Sequence, residues 1–420
     1  MSTLKVNTVL SADTPTVNVT DGLHVTGVST VTGGINVGTA ATIHANGNAT
    51  FSGIATATTV NTTNIVNATP LTNRNLIING AMRVAQRGDV SSVTSGYGGA
   101  DRFKFDRDGA TAVTLKQGGA SDSPVSEGFS NCQHIDITTA DTSMGSTNFN
   151  LLTTRLEGYN LQGIQKGTAN ARELTLSFYI KSTVTGTYIA ELVDQTNSAR
   201  HVNKAYTVSA SNTWEKKEIT FPADTTGTIT SDHNRRLDIN WWLGAGSTYN
   251  SGTLQTSWGS DTNANRAVGQ VNAVNSASND IMITGVQLEV GSVATPFEHC
   301  KYGDELRRCQ RYFYKIVGQD SDMAAFGFNY SGSDHYFNIE FPAPMRDYPT
   351  YTGSSTDARI FANNIGQDFQ LSSMSIVGNM TSSNPNRVTL FVSQGGATAG
   401  EGGLLSLQNS EGSLSFSAEL

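Results

Sequence analysis

Asn279–Tyr314 reads NDIMITGVQLEVGSVATPFEHCKYGDELRRCQRYFY, and this stretch decides the fold. Ile281 and Ile283 alternate with Met282 and Thr284; after Gly285 the apolar phase moves to Val286, Leu288 and Val290. A one-residue slip at a glycine inside a strand marks a β-bulge, which bends the strand while both halves stay buried on one face. Pro296 ends the strand region. Beyond it Tyr302, Leu306, Cys309 and Phe313 fall at spacings of four, three and four, one apolar helical stripe. Asp304 and Glu305 open that helix and Arg307, Arg308 and Arg311 follow, the charge order a helix dipole favours. A buried closing strand thus runs into a helix that can lie across the sandwich it closes.

The composition agrees with a β chain. At 420 residues two or three domains are expected. Charged residues make up only 15%, there are 42 glycines against 9 prolines, and long helical patterns are few, which predicts an all-β protein. A net charge of -8 with no basic run speaks against nucleic acid as a partner. The three cysteines, Cys132, Cys300 and Cys309, cannot form a complete disulfide set, and none has CxxC spacing or paired histidines nearby, so zinc is not expected. Free buried thiols fit folding in a reducing cytoplasm. Residues 1–10 show no basic segment leading into an apolar core, and no long apolar run occurs, so neither a secretion signal nor membrane insertion is expected.

From Gly22 to Asn73 there is no Asp, Glu, Lys or Arg. Gly22–Val25, Gly34–Val37 and Gly47–Phe51 repeat loosely, with Val28-Ser29-Thr30, Ala40-Ala41-Thr42 and Ile54-Ala55-Thr56 between them at intervals of 12 and 14 residues. Each repeat reads as a short strand with a glycine turn. Their Val, Ile and Ala side chains bury little alone and gain stability when stacked or wound with copies from other chains. An intertwined trimeric β-shaft is the preferred reading, with a Thr/Asn/Gly linker as the alternative. Leu4–Val9 reads as a docking strand.

Charges and aromatics return near Asn75. In Arg172–Lys181, Leu174, Leu176, Phe178 and Ile180 face one way, and Tyr188–Val193 reads as a hairpin partner across Thr185-Gly186. Trp214–Phe221 and Leu237–Leu243 are further strands, and Lys204, Lys216 and Lys217 guard edges against aggregation. Leu237, Ile239, Trp241 and Leu243 share a core face, which turns Trp242, Asp238 and Asn240 to the other. A flat aromatic beside a carboxylate and an amide suits a sugar, the ring covering C–H groups and the polar groups bonding hydroxyls. The competing reading has Trp242 covered by the Gly244–Gly259 loop, which carries Tyr249 and Trp258. Trp214 reads as a core residue. Arg87, Asp101 and Arg102 read as buried polar groups that pair to fix strand ends.

No HExxH, GxSxG, Walker loop or EF-hand run occurs and the seven histidines stand singly, so no catalytic residue and no metal ligand is assigned. Asp106 with Asp108, or Asp232 near Asp238, resemble glycosidase pairs only at spacings that any chain of this length supplies.

The motifs Val286-Gln287-Leu288-Glu289-Val290-Gly291, Ala294-Thr295-Pro296-Phe297-Glu298, Glu305-Leu306 and Cys309-Gln310-Arg311-Tyr312-Phe313 resemble a signature of phage tail-fibre proteins of the marine and cyanobacterial type. Asn75-Leu76-Ile77-Ile78-Asn79-Gly80, Gln86-Arg87-Gly88 and Ala100-Asp101-Arg102-Phe103 resemble the opening strands of the same family's sandwich; Phe341–Thr350 is similar to the family too, as is Gly252–Gly259, which implies that Trp258 is a structural staple. Two departures stand out: Cys300 occupies an arginine position, and Val84-Ala85 stands where an aromatic precedes Gln-Arg-Gly. The resemblance implies a carbohydrate-binding-module-like jelly-roll sandwich opening at Asn75, followed by a small C-terminal β-domain. It permits a structural calcium without naming ligands; otherwise no cofactor is expected.

The expected organisation is attachment and β-shaft over 1–74, jelly-roll sandwich over 75–300, linker helix over 301–316 and β tip domain over 317–420. Phe326–Tyr330, Tyr336–Phe341, Val388–Val392 and Leu414–Phe416 are its expected strands, with loops over Asn363–Gln370 and Gly395–Gly403. The expected function is that of a non-enzymatic, homotrimeric virion fibre, made in the host cytoplasm. It would join other virion proteins through its N-terminal segment and contact host-surface polysaccharide, with Trp242, Asp238, Asn240 and Tyr249 as candidate glycan contacts. A head or capsid fibre and a polysaccharide-degrading tailspike are the alternatives.

Overall fold

The computed structural model describes residues 34–37, 41–44, 49–51, 73–318, 322–353, 358–362, 367–370, 373–376, 386–393, 395, 398–407 and 412–420. Contacts divide the chain into two compact units, residues 1–67 and 68–420. In the first, β1 (Gly34–Val37), β2 (Ala41–His44) and β3 (Ala49–Phe51) form a three-stranded antiparallel meander. Segments of small residues thus fold locally as strands. The docking strand at 4–9 and the repeats at 22–25, 28–30 and 54–56 lie outside the described residues.

The second unit opens with a sandwich built from β4 (Val90–Val93), β5 (Gly96–Tyr97), β6 (Lys104–Asp108), β7 (Ala112–Gly118), β8 (Cys132–Thr139), β9 (Phe149–Glu157), β10 (Leu174–Ser182), β11 (Gly186–Asp194), β12 (Arg200–Val208), β13 (Glu215–Phe221), β14 (Arg235–Ala245) and β15 (Asp280–Val290). A short helix, α1 (Ser247–Asn250), lies between the last two. One sheet runs β13-β10-β15-β8-β7-β4 and the other β12-β11-β14-β9-β6-β5, with every pairing antiparallel. This is the all-β two-sheet sandwich that the alternation predicts, of the jelly-roll-like kind that the resemblance implies.

Its core joins the apolar faces of β10, β14 and β15. Leu174, Leu176, Phe178 and Ile180 meet Leu237, Ile239, Trp241 and Leu243, and Ile281, Ile283, Val286, Leu288 and Val290 complete the layer. Each such side chain contributes about 1.5–3 kcal/mol by leaving water. Phe178 and Trp241 hold the sheets together edge to face, ring centroids 5.7 Å apart. The bulge sits where the glycine marks it: Ser177 faces Gln287 and Tyr179 faces Thr284, so Gly285 and Val286 share the space opposite Phe178. Gly285 has φ +62°, and a Cβ there would lie 2.7 Å from the Phe129 ring. No other residue type suits that position.

Several expectations are corrected. β10 and β11 are not a hairpin, because they lie in opposite sheets and the chain crosses between them at Thr183–Thr185. Asn75–Gly80 is a turn rather than a strand: Leu76 N–H donates to the Leu288 carbonyl and Asn75 brackets the bulge with bonds to Val286 O and Leu288 N–H. Trp214 is only half-buried, its indole N–H donating to Asp122 O at 3.0 Å. Trp241 is core and Trp258 is a staple, donating to Pro222 O at 2.8 Å. Lys204 lies on β12 and Lys216 and Lys217 on β13, the edge strands of the two sheets.

After the sandwich comes α2 (Tyr302–Gln310), followed by β16 (Phe313–Val317), β17 (Met323–Asn329), β18 (Asp334–Glu340), β19 (Thr350–Thr352), β20 (Ala358–Ala362), β21 (Gln367–Gln370), β22 (Ser373–Ile376), β23 (Arg387–Ser393), β24 (Gly402–Leu407) and β25 (Ser413–Ser417). The helix is shorter than the 301–316 expected, because Phe313 already belongs to a strand. Along the stripe Cys309 and Phe313 are buried, Leu306 is half-buried and Tyr302 is exposed. The C-terminal strands form two sheets, β16-β25-β19 and β21-β20-β24-β17-β18-β23-β22. β21 and β24 occupy the ends of segments read as loops. The three cysteines are free, Cys132 and Cys309 buried and Cys300 half-buried.

The C-terminal domain is stitched to the sandwich. Arg311 binds Glu157 through Nε at 3.0 Å and Nη2 at 2.9 Å. Glu419 sits between Arg87, at 3.3 Å, and the buried Arg102. Arg87 also pairs with Asp101 at 3.7 Å, and Arg102 and Arg87 each stack 3.5 Å from a ring, that of Tyr312 and that of Phe313 respectively. The polar cluster at Arg87, Asp101 and Arg102 is therefore closed by a carboxylate from β25's far side.

Candidate functional site

On β14, β9, β6 and β11 the residues that point away from the core form a grid. Register sets Asp106 opposite Leu151 and Leu151 opposite Trp242; Lys104 opposite Thr153, Thr153 opposite Asn240 and Asn240 opposite Glu191; and Arg155 opposite Asp238, which faces Val193. At one end of this face the layer is apolar. Leu151, Ile189, Trp242 and Ala267 make a small second core, with Phe149, Tyr249 and Leu254 packed on it. At the other end it is polar, and a groove of about 210 Å³ opens between the two.

Trp242, Asp238, Asn240 and Tyr249 all line this groove. Trp242 is nonetheless not an open platform: it is 1% exposed. Tyr249, carried by α1, lies 5.4 Å from its ring, and the Arg266 guanidinium lies 5.3 Å from the same ring. The covered reading of Trp242 is the one the packing supports. Asp238 and Asn240 form the floor. Arg235 clamps Asp238, donating from Nε at 2.7 Å, and Gln195 donates to it at 2.7 Å. Asn240 donates to Glu191 at 2.8 Å. What solvent reaches is the half-buried rim of Tyr249, Phe149, Asp106, Arg155, Arg235 and Gln195.

Charge in the groove is held by opposed pairs. Burial pushes the Glu191 carboxyl up, but the charge of Arg266 and hydrogen bonds from Arg266 and Asn240 outweigh it and hold Glu191 below the usual carboxylate range. Asp106 behaves alike: burial raises it, and bonds from Ser95 and Lys104 with the charges of Lys104 and Arg155 bring it lower. Three buried side-chain atoms of the lining residues have no hydrogen-bond partner: the Thr153 hydroxyl, the Arg155 Nε and the Trp242 indole N–H. Buried polar atoms are rarely left so.

The rim was not legible beforehand because it draws on strands far apart in sequence. Asp106 was visible only as half of a chance pair with Asp108; the structure instead brings Asp106 and Asp238 to one groove, while Asp232 is bound up with Arg236. The period-two pattern of Lys104 and Asp106, and of Thr153 and Arg155, was the available signal. Among the described residues no group of three or more His, Cys, Asp and Glu side chains is arranged to hold a metal ion.

The fold and groove define an all-β sandwich protein with a polar cleft on one sheet face. No family model matches the sequence, and no curated protein matches it. Among solved structures, the enzymatically active domain of bacteriophage CBA120 tailspike protein 4 aligns with 52% of this chain and 21% of its own, at 14% identity and TM-score 0.29. The family 11 carbohydrate-binding module of the Clostridium thermocellum cellulase Lic26A-Cel5E aligns over 50% of this chain and 97% of its own, at 13% identity and TM-score 0.25. The CBM22-2 xylan-binding domain of Paenibacillus barcinonensis Xyn10C aligns over 44% and 91%, at 14% identity and TM-score 0.24. The chain thus spans about a fifth of the tailspike chain and nearly all of each module. Likenesses this distant leave function to be argued from the groove itself.

Proposed function

We propose that this chain is a structural fibre protein of a phage particle, a trimeric tail fibre that contacts host-surface glycans without cleaving them. The observation that carries the glycan reading is the groove, where Asp106, Arg155, Arg235 and Gln195 present donors and acceptors from rigid strands beside the Tyr249 ring. Directional polar groups next to an aromatic face match a sugar, whose hydroxyls lie around an apolar C–H face. Many such weak contacts, repeated over copies, give firm adsorption. The fibre role is supported by the resemblance of the β15–α2 motifs, and attachment to other virion proteins falls to the N-terminal segment.

Association of copies is supported by the outer face of the seven-stranded sheet. Phe328, Tyr336 and Phe391 lie in one row across β17, β18 and β23, Phe328 stacked on Tyr336 at 5.7 Å. Phe326 is 70% exposed and Tyr330 66%. Water disfavours so many aromatics on one face, and this row offers copies of the chain an apolar meeting place. Light scattering of the full chain should give a trimer; a monomer would remove this part of the reading.

The glycan reading is tested by Tyr249→Ala and Gln195→Ala, scored for binding to host cells or to a glycan array, with circular dichroism to check the fold. Both should weaken binding while leaving the spectrum unchanged. Unchanged binding would move the receptor site off the groove.

A polysaccharide-degrading reading has one observation in its favour, the presence of Asp106 and Asp238 on the same groove. A glycosidase needs one carboxyl held protonated as the acid. Asp106 is instead held low and Asp238 is clamped by Arg235. Incubation with host capsule should release no reducing ends.

A further inference from the structure

A second cleft lies on the opposite sheet and shares no residue with the groove. It occupies about 570 Å³, within the range of roughly 300–1,000 Å³ typical of small-molecule sites. Two aromatic rings line it, Tyr179 on β10 and Trp214 at the head of β13. Both are half-buried, so each ring has a face to offer. Each is also pinned by its polar end. The Trp214 indole N–H donates to Asp122 O at 3.0 Å, and the Tyr179 hydroxyl donates to Glu127 Oε2 at 2.9 Å. Burial and the Glu127 carboxylate push the Tyr179 phenol up to about 12, so it stays neutral and keeps this bond.

Around the rings stand hydrogen-bonding groups on fixed backbone. Lys216 lies directly opposite Tyr179 in the β10–β13 ladder and holds Glu218 at 2.7 Å. Ser123 and Ser126 line the far wall. β13 is the edge strand of its sheet, so the cleft lies at the sheet's margin. Rings locked in advance lose little freedom on binding, which is what a weakly held, many-hydroxyl ligand requires.

We propose that the Tyr179–Trp214 cleft is a saccharide-binding site that takes an uncharged sugar unit of a longer glycan. The rings cover C–H faces, and Lys216, Glu127 and the serines bond hydroxyls. The charge at the mouth selects against acidic sugars, since Glu127 and Glu218 outnumber Lys216. This site stands apart from the groove beside Tyr249, and either can fail without the other.

The experiment is titration of the full chain with uncharged tetrasaccharides of glucose, galactose and N-acetylglucosamine, and with tetragalacturonate as the charged control, followed by tryptophan fluorescence and calorimetry. At least one uncharged tetramer should bind and shift the emission, and tetragalacturonate should not. Trp214→Ala and Tyr179→Ala should each weaken that binding about tenfold or more, as loss of a ring–ligand contact does. Lys216→Ala, a change at an exposed side chain, should weaken it without altering the melting curve, which covers the case in which a ring variant fails to fold. Failure of every uncharged tetramer to bind, or binding that survives Trp214→Ala, Tyr179→Ala and Lys216→Ala, overturns the proposal. Binding lost in Tyr249→Ala but kept in those three assigns the sugar to the groove instead.

Discussion

The guanidinium of Arg266 grips the carboxylate of Glu191 through two parallel bonds, Nε to Oε1 at 2.7 Å and Nη2 to Oε2 at 2.9 Å, with Glu191 wholly out of solvent. Removing one partner leaves a buried charge, so Arg266→Met should cost about 3–5 kcal/mol near neutral pH. The pH dependence should also invert. In the native chain Glu191 is held low, so its contribution is present above the unfolded carboxylate value and is lost as pH falls through the folded one. Without Arg266 burial is opposed mainly by the Asn240 hydrogen bond, so the carboxyl rises and protonation relieves it. Urea denaturation at two pH values should show a smaller deficit near pH 5 than near pH 7.5; an equal deficit at both would refute the pairing.

Trp242→Ala should unfold the outward apolar cluster rather than simply remove a binding surface. Trp242 is packed against Tyr249, Arg266 and Ala267, and a large buried aromatic lost to alanine costs about 3–5 kcal/mol. Thermal melting would decide it. A change below about 1 kcal/mol would restore Trp242 to the surface, since exposed positions usually fall within that limit.

Gly285→Ala should destabilise by about 1–3 kcal/mol from the left-handed backbone alone. A methyl at that point also meets the Phe129 ring, 2.7 Å away. Adding Phe129→Leu should recover part of the loss and not all of it. Full recovery would mean that the backbone conformation carries no strain.

Glu419→Gln should loosen both domains together. It leaves Arg87 and Arg102 short of a charge partner, and breaking a buried pair costs about 3–5 kcal/mol. Calorimetry of the variant should show the single melting transition broadening or splitting as the C-terminal sheets come away. An unchanged transition would show that Arg311 and Glu157 suffice.

Thiol labelling should be strongly ordered. Burial pushes the Cys309 thiol well above its ordinary value and the Cys132 thiol to about 11, while Cys300 is half-buried and also raised. Native protein at pH 8 should label slowly at Cys300 alone, with the other two following only in denaturant. Rapid native labelling of Cys309 would contradict its burial on the inward side of α2.

How far the chain could be read in advance follows from where its partners lie. The bulge at Gly285, the division of Trp241 from Trp242 and the edge lysines are local, set by period-two alternation within one strand, and all three are legible. The crossing between β10 and β11 is not, because Thr185-Gly186 is the same turn chemistry whether the chain folds back or passes to the other sheet. The groove's floor, Asp238 and Asn240, follows from alternation along β14. Its rim does not, because Arg155, Asp106 and Arg266 arrive from other strands and a loop, and no spacing in sequence announces them.

The Glu419 contact has a consequence for the way the protein is made. Arg102 and Glu419 stand 317 residues apart. On a ribosome adding about 5–20 residues per second, the sandwich's arginines wait roughly 15–60 s for their carboxylate. Through that interval the nascent sandwich has its apolar layers but lacks the charge that closes Arg87 and Arg102. Synthesis of residue 419, rather than emergence of the sandwich, is when this fold becomes locked, and a transcript truncated before residue 419 is expected to yield chains that chaperones and proteases handle as unfinished.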